Sequence, residues 1–154
     1  EWVSASQDTF ALMSGILSLV HPKQYAQGVQ CMEKILGNSD LRQHAEQWAC
    51  VFNAVSALAN RETPFHRDGL GAFPWYDILL TVGRYTGGQL SLPALGIDLD
   101  YSPGTVVPLC GNILRHGVPH CEGERICLAY YMREAVHKWA GTGNAGWSGG
   151  PDAE

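Results

Sequence analysis

The residues best suited to chemistry lie in Thr63-Pro64-Phe65-His66-Arg67-Asp68, which sets an imidazole and a carboxylate two residues apart. On an extended strand, residues i and i+2 point to the same face, so His66 and Asp68 would aim at one point. A neutral imidazole plus a carboxylate is two thirds of the 2-His-1-carboxylate facial triad, a ligand set that holds Fe(II) and leaves coordination positions open. His-x-Asp alone recurs by chance, so a second histidine is needed. Leu114-Arg115-His116-Gly117-Val118 offers one inside a predicted strand, with Leu114 and Val118 as apolar neighbours on its own face. A histidine on such a face is more often a satisfied core residue than a ligand. Arg125 shifts that balance, standing nine residues after His116 at the start of the next predicted strand. An arginine facing an apolar interior is costly to bury unpaired, so it implies an anionic partner. Its planar fork suits a carboxylate.

Strands must position these groups, and the chain reaches them only after a helical prefix. Over residues 6–20, Phe10, Leu12, Met13, Ile16, Leu17 and Val20 recur at three- and four-residue steps, which predicts an amphipathic helix. His21-Pro22 breaks it, and Pro22 suits the first turn of a second helix over 22–36. Gly37-Asn38-Ser39-Asp40 then supplies a stop and a cap for a short third helix over 41–47. From about Trp48 the period changes to short apolar runs separated by Gly, Pro, Asn or Asp. Strands are expected over 50–58, 63–67, 76–82, 89–92, 97–100, 105–109, 112–118 and 125–131. Gly87-Gly88, Pro103-Gly104, Gly111-Asn112 and Glu122-Gly123 supply turns.

This order indicates an α+β chain: a jelly roll or double-stranded β-helix core with the N-terminal helices packed on the outer sheet. A parallel sheet would need helices between the strands, and the spacings leave no room for them. A single domain is expected over 1–139, with the helical prefix at 1–47 and the β core at 48–139. A flexible Gly-rich tail follows over 140–154.

Composition narrows the function classes. At 154 residues, 45% hydrophobic and 16% charged, the chain can bury the core of one domain. Five cysteines, odd in number and without C-x-x-C spacing, exclude a disulfide framework and a zinc ribbon. Reduced thiols in an intracellular compartment are the expectation. The net charge of −5 gives no support to strong non-specific nucleic-acid binding. No apolar run approaches a membrane span, and no leader pattern opens the chain, so no membrane partner is expected. The start at Glu1-Trp2-Val3, without Met, suits a domain excised from a longer parent that carries other domains.

His66-x-Asp68, then His116 about fifty residues on, then Arg125 together resemble the Fe(II)- and 2-oxoglutarate-dependent dioxygenases. The stretches Asn60 through Asp68, Tyr85-Thr86-Gly87-Gly88-Gln89-Leu90, Tyr101-Ser102-Pro103-Gly104-Thr105-Val106 and Leu114 through Val118 are similar to the TET/JBP branch, in particular its fungal members. The match spans roughly residues 50–133. It implies a double-stranded β-helix in which His66, Asp68 and His116 hold Fe(II). It also implies 2-oxoglutarate as cosubstrate, with Arg125 on its far carboxylate, and O2 at the remaining position. His120 competes with His116 but stands only five residues from Arg125, a spacing that fits the family less well. Arg84, Thr105 and Cys127 are implied as further contacts or walls of the cosubstrate pocket. Cys127 departs from the family, since many relatives carry a small hydroxyl residue there.

The branch oxidises the 5-methyl group of a pyrimidine in DNA, so the resemblance implies 5-methylcytosine DNA as partner and a nuclear location. A target base must leave the stack, and Trp75 and Tyr76, with Phe73, are candidates to stack on it. Trp75 and Tyr76 serve equally well as the start of a core strand. Asn60 and Arg67 are candidate substrate contacts, or else a turn residue and an exposed structural arginine. Arg61, Arg67, Arg84 and Arg115 are spaced to meet phosphates, while Asp98, Asp100, Glu122 and Glu124 oppose them. Two other readings stand: the same chemistry on a protein side chain or small molecule, and an inactive jelly-roll binding module that retains its metal ligands.

Overall fold

The computed structural model describes residues 1–147, so the part of the tail expectation that falls on 148–154 lies outside the described residues. Two compact units divide the chain: Glu1–Ala54 with the segment beginning at Met132, and Val55–Tyr131.

The first unit is helical. A single turn, α1 (Trp2–Ala5), precedes α2 (Gln7–Val20) and α3 (Pro22–Gly37). Of the helical-step apolar residues Phe10, Met13 and Leu17 are fully buried, while Leu12 is exposed. Full burial of each contributes about 1.5–3 kcal/mol. Between the helices His21 caps α3, its Nδ1 accepting from the Gln24 amide at 3.2 Å. Pro22 takes the first turn, where a missing N–H costs nothing. α4 (Ser39–Ala45) begins two residues earlier than expected because Asn38 is the cap. Its Oδ1 accepts from the amides of Asp40 and Leu41 at 3.0 and 3.2 Å. A further helix, α5 (Glu134–Ala140), has no counterpart among the expected elements. Gly141 ends it at φ +68, the left-handed cap position that glycine occupies at least cost. Residues after the cap bond back to α5: Thr142 Oγ1 lies 3.1 Å from His137 Nδ1, and Asn144 donates to Glu134 at 2.8 Å.

The second unit is two four-stranded sheets. One has the order β1 (Ala54–Ala59), β8 (Glu122–Tyr131), β3 (Asp77–Thr86), β6 (Val106–Leu109). The other has the order β2 (Thr63–His66), β7 (His116–Val118), β4 (Gln89–Leu92), β5 (Ile97–Asp100). Each expected strand has its counterpart, with four extents corrected: β1 begins only at Ala54, four residues later than expected. β3 and β8 run further than expected, paired antiparallel from Ile78↔Tyr130 to Thr86↔Glu122. β7 is short, because the amides of Ile113 and Leu114 both turn back to the Cys110 carbonyl, at 3.1 and 2.9 Å.

Apart from the β4–β5 hairpin, successive strands alternate between the sheets. The core therefore draws Leu79, Leu90, Leu92, Tyr101, Leu109, Val118 and Cys127 from both. The chain is an α+β protein with two antiparallel sheets. Among the described residues no helix is long and apolar enough to cross a membrane.

Candidate functional site

β2 and β7 are antiparallel neighbours with His66 opposite His116, so both imidazoles rise from one face of one ladder. Their ring centroids are 4.4 Å apart. Asp68, just past β2, is fixed by its amide, which donates to the Gly111 carbonyl at 2.9 Å. Its carboxylate spans the pair, Oδ1 at 3.4 Å from His66 Nε2 and Oδ2 at 3.4 Å from His116 Nε2. Gly111 makes room for it, since a Cβ there would overlap Asp68 Oδ2.

The tautomers follow from the backbone. His66 Nδ1 lies 2.9 Å from the Pro64 carbonyl oxygen, and His116 Nδ1 lies 2.9 Å from that of Leu114. A carbonyl can only accept, so each Nδ1 keeps its proton and each Nε2 presents a lone pair toward Asp68. That is the form a metal ligand requires, with the carbonyl orienting the ring. The three donor atoms lie within 4.8 Å of one another. Two imidazole nitrogens and one carboxylate fit Fe(II) with open positions. His120 is not in the group; it pairs at the surface with Glu62, 3.1 Å away.

Arg125 is 1% exposed. Its Nη2 donates to the Arg61 carbonyl at 2.7 Å, while Nε has no hydrogen-bond partner among the described residues. No carboxylate forms an ion pair with it among the described residues. Cys127, two residues on along β8, lies beside it, with its Sγ 3.5 Å from the Tyr101 hydroxyl. Tyr85 closes the network, its hydroxyl 2.8 Å from Thr81 Oγ1 and donating to the Tyr101 carbonyl. Burial pushes the Tyr101 phenol and the Cys127 thiol up, so both stay protonated near neutral pH. A guanidinium buried among neutral groups carries a desolvation cost of about several kcal/mol, which an anionic ligand offsets.

Other candidates fall elsewhere. Asn60 braces Arg125: its amide donates to the Arg125 carbonyl at 2.7 Å, and its Oδ1 accepts from the Arg125 amide at 2.9 Å. That commits its side-chain oxygen to Arg125. Asn60 holds φ +51 to do so, a backbone state that asparagine tolerates better than most residues. Arg84 is not brought to the Arg125 network; it is exposed on β3 opposite Glu124, while its neighbour Tyr85 turns inward. Thr105 is half-buried just before β6, its carbonyl accepting from the Thr81 amide at 3.1 Å. Arg67 is exposed between the two ligands.

Trp75 is 3% exposed, so it packs in the core and offers no free face to a base, and Tyr76 is half-buried. The exposed apolar groups are instead Phe73, at 58%, and Leu70, at 73%, on the loop that follows Asp68. The loop's base is tied down, with Asn112 donating to the Gly71 carbonyl at 3.2 Å and Cys110 Sγ to that of Phe73 at 3.2 Å. Leu70 holds φ +70, which costs a leucine about 1–2 kcal/mol. The flanking Gly69 and Gly71 are the only sequence signal for it, and they do not give its exposure. Phe65, next to His66, is half-exposed under the Arg115 guanidinium, 5.6 Å from its ring centre.

A family model, Tet_JBP, described as the oxygenase domain of the 2OGFeDO superfamily, matches residues 1–134. No curated protein matches the chain. Among solved structures, NgTET1 in complex with 5mC DNA aligns with a TM-score of 0.66 at 18% identity, over 85% of this chain and 49% of that one. That likeness is one of fold, and the chain spans about half the length of that structure.

Proposed function

The chain belongs to the Tet_JBP family of 2OGFeDO-superfamily oxygenase domains, and from that premise we propose that it is an Fe(II)- and 2-oxoglutarate-dependent dioxygenase that oxidises the methyl group of 5-methylcytosine in DNA. Its two sheets are read as the double-stranded β-helix of that superfamily. The observation that carries the activity is the pairing, in one unit, of a His/Asp/His group with a buried guanidinium that has no counter-ion among the described residues. An inactive binding module has no use for a cation held at such cost.

His66, Asp68 and His116 would hold the metal on one side, with Nδ1 of each histidine locked on a carbonyl so that Nε2 stays available. Arg125 would grip the far carboxylate of 2-oxoglutarate, with the walls around Tyr101 and Cys127 excluding water from it. Bound there, Fe(II) and 2-oxoglutarate supply O2 activation coupled to oxidative decarboxylation, giving succinate and CO2 and delivering one oxygen atom to a substrate C–H bond.

The DNA reading is supported by the placement of Leu70 and Phe73 beside Asp68, where apolar groups could fill the space left by an extruded base. The exposed Arg61, Arg67 and Arg115 would meet phosphates. The test is mass spectrometry of nucleosides from 5-methylcytosine DNA incubated with the protein, Fe(II), 2-oxoglutarate and ascorbate. Hydroxymethyl, formyl or carboxyl products that vanish in His66→Ala are expected. Succinate release with no modified base would keep the oxygenase and move its substrate to a protein side chain or small molecule, which the net charge of −5 favours.

A further inference from the structure

The two imidazoles of the metal group meet because β2 carries one extra residue. Thr63 pairs with Val118 and His66 with His116, three steps along β2 against two along β7. That is a β-bulge, on a strand with a sheet neighbour on one side alone. Continued without the bulge, the Thr63↔Val118 register would set Phe65 opposite His116 and turn His66 to the outer face. The metal group therefore depends on whatever holds residues 64 and 65 in their bulged form. Pro64 suits a bulge, having no N–H to lose from a ladder, and its carbonyl accepts from His66 Nδ1. It makes no side-chain grip on β7 that would fix the register.

Phe65 does make one. Gly117 alternates with the buried His116 and Val118, so its bare backbone faces outward. A Cβ on Gly117 would stand 2.9 Å from Phe65 Cδ1 and 2.9 Å from the Thr63 carbonyl oxygen, so the ring lies on the glycine itself. The Arg115 guanidinium lies over the same ring, 5.6 Å from its centre. Arg115 and Gly117 are the two chain neighbours of His116, and Phe65 is the neighbour of His66. A cross-strand aromatic laid over a glycine pins strand register. Here the ring is 48% exposed, so its contribution to the core is small and its hold on β7 is what it adds.

We propose that Phe65 is a positioning residue for the metal group: seated on Gly117 and under Arg115 at the outer face, its ring holds the bulge that sets His66 opposite His116. This rests on the metal site proposed above and extends it. The residue acts through the β2 backbone, carrying the Pro64 carbonyl and the His66 ring into place together.

The test titrates Mn(II) into the whole chain, following loss of the free-ion electron paramagnetic resonance signal, beside a thermal melt of each metal-free variant. Phe65→Ala is expected to weaken Mn(II) binding about tenfold, the cost of losing a group that orients a ligand, and Phe65→Tyr, which keeps the ring, to retain wild-type affinity. Ile97→Ala, which trims a side chain of similar exposure (43%) from β5 of the same sheet, should leave affinity unchanged. Wild-type affinity in Phe65→Ala overturns the proposal even if the melting temperature drops, because a merely structural ring affects stability and not the metal. An equal loss in Ile97→Ala also overturns it.

If circular dichroism shows that Phe65→Ala does not fold, Phe65→Leu carries the test, since it keeps apolar bulk without the flat ring. A loss of about threefold is then expected, and no loss overturns the proposal. A wild-type protein that takes up no Mn(II) would remove the metal site itself, a failure distinguishable from that of the Phe65 clamp alone.

Discussion

The metal group and the Arg125 cage sit in the same unit but differ in access. The side chains of His66 and Asp68 are 39% and 38% exposed, whereas Arg125 is 1% and Tyr101 0% exposed. The metal group is held by two backbone carbonyls and the short β2–β7 ladder, and it opens toward solvent beside the Leu70 loop. The cage lies on the long β3–β8 ladder and is braced from Asn60 across 65 residues of sequence. An open end can receive part of a large substrate, and a closed end can select one small acid. The stability costs differ in the same way. At the open end the strain is local, in Leu70; at the closed end it is electrostatic, in an uncompensated cation.

The sharpest way to break this contrast is Arg125→Met. Turnover of 2-oxoglutarate, measured as succinate, should fall at least about a hundredfold, in line with loss of a buried charged contact, while metal titration stays unchanged. The unliganded variant should also melt higher, by a stabilisation of about 1–4 kcal/mol, because a buried cation gives way to an apolar chain of similar length. Wild-type turnover would remove Arg125 from the site.

Gly111→Ala perturbs the open end most directly. The added methyl must push Asp68 aside, so metal affinity should drop about tenfold with the fold intact by circular dichroism, a cost like that of losing a group that orients a ligand. A normal metal titration would mean that Asp68 has freedom the geometry denies it.

Leu70→Gly is the mildest change and has opposite effects on stability and function. Relief of the left-handed backbone should stabilise the protein by about 1 kcal/mol in a denaturant melt. Oxidation of duplex DNA should fall severalfold, while a single-stranded substrate, which needs no base extrusion, is unaffected. Equal loss on both substrates would argue against a wedge.

Much of this was legible in the chain because the informative spacings are local. The alternation that puts His66 and Asp68 on one face, and the Gly and Pro punctuation between runs, need no tertiary knowledge. What escaped depends on distant partners. Asn60 looks like a turn residue until β8 supplies the Arg125 amide for its side chain. Trp75 is ambiguous at the end of a loop, and burial decides it. The stretch 112–115 has strand-like composition but is turned by two amides on the Cys110 carbonyl. α5 is short and follows a long strand, too brief for its period to stand out.

The most direct test is an anaerobic titration of 2-oxoglutarate into the Fe(II)-loaded chain, followed by metal-to-ligand charge-transfer absorption. Wild type should give a saturable band. It should be absent in His116→Ala for want of metal, and should shift to at least about a hundredfold higher 2-oxoglutarate concentration in Arg125→Met with metal still bound. No band in the wild type, or a titration curve that Arg125→Met leaves in place, would contradict the assignment of the two ends.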